Sequence, residues 1–103
     1  MLARIIIILF FPLFSYSQNW NIATQFPYAG VHHPITFSYD NYGFVISGSN
    51  TDNTFRYDKN TDSWTQLANF PGGGRGYAYG VAKDNKAYMG FGSDPSGNFP
   101  NDW

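Results

Sequence analysis

The chain reads as an all-β protein, and three observations predict it. Aromatic residues make up 20% of the sequence and glycine supplies 11 of its 103 residues, a mixture suited to twisted, tightly turned antiparallel sheets. Glu is absent and Ala, Leu and Lys are sparse beyond the N-terminal stretch, so good helix formers are few. The third observation is a repeat with a spacing of 44 residues. Trp20 recurs as Trp64, Phe26-Pro27 as Phe70-Pro71, Gly30 as Gly74, Asp40-Asn41 as Asp84-Asn85 and Gly48-Ser49 as Gly92-Ser93. These are eight identical pairs, where chance over such a span would supply roughly two. A period of that length, made of short strands, belongs to an array in which each sheet covers the next.

The first seventeen residues predict an export signal. Arg4 gives a positive start, Ile5 to Phe14 form an apolar run, and Ser15-Tyr16-Ser17 places small residues at the positions a signal peptidase reads, with cleavage after Ser17. The run is too short to span a bilayer, which takes about twenty residues. The expected destination is the periplasm, the cell surface or the medium. Cleavage leaves 86 of the 103 residues, with seven Asp against five Lys and Arg. No basic stripe exists to displace counterions from phosphates, so nucleic acid is not an expected partner. There is no Cys, hence neither a disulfide nor a thiolate metal site, and stability must come from packing.

Residues 18 to 33 are expected to hold an outer strand over Asn19 to Gln25, with Trp20 in the place of Trp64, and a linker. Residues 34 to 69 read as one complete four-stranded unit. Ile35, Phe37 and Tyr39 alternate with Thr36 and Ser38 in its first strand. Asp40-Asn41 makes a two-residue turn, expected to be type I′ because Asp and Asn tolerate positive φ. Tyr42 to Ser47 returns through Phe44-Val45-Ile46, and Gly48 ends the strand. Ser49 to Asp52 is a polar loop, Asn53 to Tyr57 a third strand around Phe55, Asp58 to Asp62 a turn, and Ser63 to Leu67 a fourth strand carrying Trp64. Residues 70 to 103 repeat the beginning of this unit. Phe70 to Gly76 is a Pro-Gly link, Tyr79 to Lys83 a strand, Asp84-Asn85 a turn, and Lys86 to Phe91 a strand before Gly92.

The turn Tyr57-Asp58, then five residues, then Trp64, after a strand ending at glycine and a hairpin centred on Asp-Asn, resembles the kelch repeat. That family forms β-propellers whose blades are four-stranded sheets around an axis, and the resemblance covers residues 20 to 103. It implies that Trp20 and Trp64 wedge between blades, that Tyr57 and Asp58 belong to the repeat, and that Gly48 and Gly92 let inner strands crowd the axis. Two features depart from the family pattern. The usual Gly-Gly doublet is Ser47-Gly48 in one copy and Phe91-Gly92 in the other, and the Arg before the inner strand is Arg75 in one copy but Val31 in the other. Sialidase Asp boxes and quinoprotein blades also place Trp after an Asp-containing turn, but Asp58 to Trp64 lacks the glycine of both. One full blade with partial flanking blades leaves faces and edges uncovered, so further kelch blades in a longer chain are expected partners.

No catalytic constellation is apparent, and no metal or other cofactor is expected. Neighbours on a strand face opposite ways, so His32 and His33 can share a metal only from an irregular linker, and no third ligand lies near them in sequence. Galactose oxidase has a kelch-type propeller and a copper site using a Cys-linked Tyr, which a chain without Cys cannot form. Asp52, Asp94, Asn50 and Asn98 offer oxygen ligands but lack the spacing of a calcium loop and suit turns. Gly72-Gly73-Gly74 lacks the Lys-Ser/Thr ending of a phosphate loop. The three Trp residues could stack on sugars, although the repeat argues for packing.

In a propeller, the loops between second and third strands and the links entering each blade share one face. Here these are Ser49 to Asp52, Ser93 to Pro100, Tyr28 to His33 and Gly72 to Gly76, so a rim bearing His32, His33, Asn50, Asp52, Arg75 and Asp94 is the expected binding surface. The first expectation for function is a noncatalytic scaffold that binds protein or glycan. The alternatives are the opening part of a carbohydrate-active enzyme resembling kelch-type sialic-acid mutarotases, and a truncated product without function.

Overall fold

A computed structural model describes residues 18–101. The expected export signal, Asp102 and Trp103 lie outside the described residues. The described chain is all-β and contains no helix. Strands β1 (Ile35–Tyr39), β2 (Tyr42–Gly48), β3 (Thr51–Asp58) and β4 (Ser63–Leu67) form one antiparallel sheet in sequence order. Strands β5 (Tyr79–Lys83) and β6 (Lys86–Gly90) form a second, two-stranded one.

The 44-residue repeat extends from sequence to register and backbone conformation. β1 pairs with β2 through Ile35↔Ile46 to Tyr39↔Tyr42, and β5 pairs with β6 through Tyr79↔Gly90 to Lys83↔Lys86, each pair displaced by one period. Left-handed residues recur in the same way: His33 (φ 51) with Tyr77 (φ 58), Asp40 (φ 54) with Asp84 (φ 51), and Ser47 (φ 55) with Phe91 (φ 66). Side chains other than glycine occupy this region only when surrounding contacts hold them there. Three recurrences at one spacing therefore mark one backbone design used twice.

The first sheet is covered on both faces, which places its core at the inner end. Residues paired across antiparallel strands share a face, so Ile35, Ile46 and Thr54 lie on one side and Val45 and Phe55 on the other. The β5–β6 hairpin covers the first side. A Cβ on Gly80 would collide with the Ile35 side chain and stand 3.0 Å from Phe37, so only glycine lets β5 approach β1 this closely. The N-terminal segment covers the second side. Phe26 meets Phe55 edge-on at 5.0 Å, and Tyr28 stacks on it at 4.4 Å between ring centroids.

Four expectations need correction. Asn19 to Gln25 forms no strand: among the described residues nothing pairs with its backbone as a sheet neighbour, and Trp20 is 91% exposed. The polar loop after β2 is shorter than expected, because β3 begins at Thr51 and takes in Asp52. The first hairpin turn is left-handed at Asp40 but not at Asn41, whereas Asp84 and Asn85 both have the positive φ of a type I′ turn. The second β-hairpin strand also stops at Gly90, one residue early, because Phe91 is left-handed.

Candidate rim site

The link entering each sheet lies along the segment that leaves the second strand. The Ser49 N–H donates to the His32 carbonyl at 2.9 Å, and one period later the Ser93 N–H donates to the Gly76 carbonyl at 2.8 Å. Gly48 and Gly92 permit this contact. A Cβ on Gly48 would come within 2.8 Å of the His32 oxygen, and one on Gly92 would overlap the Gly76 oxygen. The two links also meet each other. The Tyr77 N–H donates to the His33 carbonyl at 3.2 Å, and Gly74 packs toward Pro95. Four segments distant in sequence thus converge on one end of the two sheets.

At their meeting point the His33 imidazole lies on the Tyr77 ring, with centroids 3.9 Å apart and planes 22° from parallel. Ser49 Oγ is 3.5 Å from His33 Nδ1. All three belong to surface segments, with His33 and Tyr77 exposed. The result is a flat ring pair with a hydroxyl at its edge. His32 is exposed, and its ring stands 6.2 Å from that of His33 at 56°. Among the described residues no group of three His, Cys, Asp or Glu side chains is placed to hold a metal ion.

Other expected rim residues build the loops. Arg75 is buried, 5% exposed, with its N–H donating to Ser47 Oγ at 2.8 Å and its guanidinium to the Gly72 carbonyl at 3.2 Å. Ser47 draws the link inward at this point. Asp52 sits on β3, where its carboxylate accepts from the Asn69 side chain at 3.1 Å and its carbonyl from the Phe70 N–H at 2.7 Å. Asp94 folds its own loop, accepting from the Ser96 and Asn98 N–H groups at 2.9 Å and from the Asn98 side chain at 3.0 Å. The Asn98 side chain foremost, then its backbone N–H, with Ser96 and the Arg75 charge adding to them, holds this carboxyl below the ordinary Asp range. Asn50 is exposed and lines a cleft of about 300 Å³ with Tyr28 to Val31.

Ser47, which the sequence marks only as a departure from the glycine doublet, is the hub of this end. It is wholly buried, and its hydroxyl lies 3.0 Å from the Thr51 carbonyl and 2.9 Å from the Gly73 carbonyl besides accepting from Arg75. Tyr77 was missed, although it stands one period after His33.

The outer end of the first sheet is tied to the N-terminal segment through Thr24. The Trp64 indole donates to the Thr24 carbonyl at 3.1 Å, and the Thr24 N–H donates to Asp62 at 2.8 Å. Tyr57 donates its hydroxyl to the same Asp62 oxygen at 2.5 Å. The Thr24 N–H first, then the Tyr57 hydroxyl, lowers the Asp62 carboxyl below its usual value, and the same bond raises the Tyr57 phenol. Phe26 packs edge-on against Trp64 at 4.9 Å. Trp64 therefore rests on the incoming segment, while Asp58 closes its turn by accepting from the Asn60 N–H at 2.8 Å. The chain matches no protein-family model, no curated protein and no solved structure.

Proposed function

We propose that the chain is a segment of an exported kelch-type propeller that serves as a noncatalytic scaffold and recognises a protein or glycan at its rim. The observation that carries this reading is the exposed His33–Tyr77 stack with Ser49 at its edge, built where both entry links and both strand exits meet. A rigid aromatic face beside hydroxyl groups suits the C–H face and hydroxyls of a sugar, or an aromatic side chain of a protein, at little entropic cost. The repeat in sequence, register and left-handed residues supports the propeller reading. Arg4 and the apolar run after it support export.

The test is a glycan array and a displayed peptide library probed with the chain and with its Tyr77→Ala and Ser49→Ala variants, alongside circular dichroism. The reading expects a ligand whose signal falls about tenfold or more with Tyr77→Ala in a protein of unchanged spectrum. A ligand retained equally by both variants would place recognition elsewhere and overturn it.

A further inference from the structure

Granted a rim that binds glycans, we infer that its ligand is an uncharged oligosaccharide, one sugar residue of which sits in the cleft between the link Tyr28 to Val31 and the start of β3. The cleft adjoins the His33–Tyr77 stack along both of its walls. The link runs on from Val31 through His32 to His33, and Ser49 of the stack is followed directly by Asn50 of the cleft.

At about 300 Å³ the cleft is at the lower end of small-ligand sites, so it suits one ring rather than a length of chain. Its floor follows from strand alternation. Thr51, Asn53 and Phe55 point to one face of β3, and Gln66 of β4, paired with Phe55, shares that face. The Asn53 N–H donates to Thr51 Oγ1 at 3.1 Å and the Gln66 side-chain amide to the Asn53 oxygen at 3.5 Å, which orders the floor. Tyr28 rests on Phe55 with ring centroids 4.4 Å apart and is itself exposed, as is Asn50 at the rim of the cleft.

Three carboxamides and no charged side chain line this space. Each carboxamide carries both donors and an acceptor, which matches vicinal hydroxyls, since they too give and take. A carboxylate or ammonium group would lose water there with no opposite charge to replace it. A peptide strand has no edge to join, because β3 is already paired on both sides, with β2 and β4. An uncharged polyhydroxyl ring meets these conditions, with Tyr28 offering an aromatic surface to its C–H groups.

The backbone design shared by the two units does not demand this lining. One period later Tyr28 becomes Gly72, Asn50 becomes Asp94 and Asn53 becomes Gly97. Pro95, the counterpart of Thr51, closes on the link there: a Cβ on Gly74 would stand 3.0 Å from it, whereas a Cβ on Gly30 would meet no atom within 4 Å. Open space and amides coincide in the first unit.

The full chain is titrated with neutral trisaccharides of glucose, mannose, galactose and N-acetylglucosamine, and with the trimer of galacturonic acid, while amide shifts are followed by NMR. At least one neutral trisaccharide is expected to bind saturably and to move the signals of Gly30, Asn50 and Asn53, with the acidic trimer about tenfold weaker or more. Asn50→Ala, and Gly30→Val, which fills the open space, are each expected to weaken that binding about tenfold with an unchanged circular dichroism spectrum. Absence of binding by every neutral trisaccharide, equal binding of the acidic trimer, or affinity kept by either variant overturns the inference. Tyr77→Ala separates the cleft from the stack. If it lowers affinity while both cleft variants keep it, the cleft fails and the stack stands; if only the cleft variants lower affinity, the stack fails and the cleft stands.

Discussion

His33 and Tyr77, one repeat period apart, lie face to face with their ring centroids 3.9 Å apart, and both have left-handed backbones. Equivalent residues of consecutive units touch, so the links stack on one another as the sheets do. Ring contact and backbone strain make separate predictions. Tyr77→Ala removes the ring but keeps the left-handed cost, whereas Tyr77→Gly removes both. We expect Tyr77→Ala to destabilise by about 0.5 to 1.5 kcal/mol, and Tyr77→Gly to be the more stable of the two by up to about 1 kcal/mol in urea unfolding. The reverse order would show that Tyr77 is not held left-handed in solution.

Ser47 joins the end of β2 to the next link through one buried hydroxyl. Ser47→Ala leaves the Arg75 N–H and the Gly73 carbonyl without this partner in a place water does not reach, at a cost of about 1 to 3 kcal/mol. Ser47→Gly loses the same bonds but relaxes φ 55, and is expected to recover about 1 kcal/mol of that loss. Denaturation midpoints of the two variants decide the point, and an unchanged midpoint for Ser47→Ala would contradict it.

Gly80 sets the distance between the sheets. Gly80→Val places a branched side chain against Ile35 and Phe37, and overpacking of this kind costs about 1 to 3 kcal/mol or more. The hairpin is expected to lift from β1 while the first sheet keeps its own pairing. Hydrogen exchange should then accelerate over β5 and β6 and stay slow in β2 and β3. Uniform acceleration would mean that the two sheets unfold as one.

The Thr24 clamp predicts a response to pH. Asp62 has a folded pKa below its ordinary 3.8, so its contribution is complete above that ordinary value and is lost as pH falls through the lower, folded one. Tyr57 has a folded pKa above its ordinary 10.0, so its contribution is complete below 10.0 and is lost as pH rises through the folded value. The Thr24 amide proton should move upfield at the acid limit and hold its shift through neutral pH. Asp62→Asn should abolish the acid transition, and a transition that persists in this variant would assign it to another group.

Much of the fold was legible because the informative residues act locally. Alternation around Phe37 and Phe55, the Asp-Asn turns, and Gly48 and Gly92 marked strands and their ends through rules that need only near neighbours. Asn19 to Gln25 was misread because a strand exists only when a neighbour offers hydrogen bonds, and local pattern carries no record of that neighbour. The rim was legible as a set of converging loops but not in its roles. Arg75 and Asp52 read as exposed rim residues in sequence, whereas in the fold the Arg75 guanidinium reaches the Gly72 carbonyl and the Asp52 carboxylate the Asn69 side chain. Tyr77 gained its place from a contact across one full period and Ser49 from contacts with His32 and His33 across a whole hairpin, which local spacing does not reveal.

The most direct test of the stacked links is a nuclear Overhauser spectrum of the chain labelled at His and Tyr. The account predicts cross-peaks between the His33 imidazole protons and the Tyr77 ring, with the His33 protons shifted upfield by the ring current and returned toward free-peptide values in Tyr77→Leu. Free-peptide shifts for His33 in the unsubstituted chain, without cross-peaks to Tyr77, would contradict it.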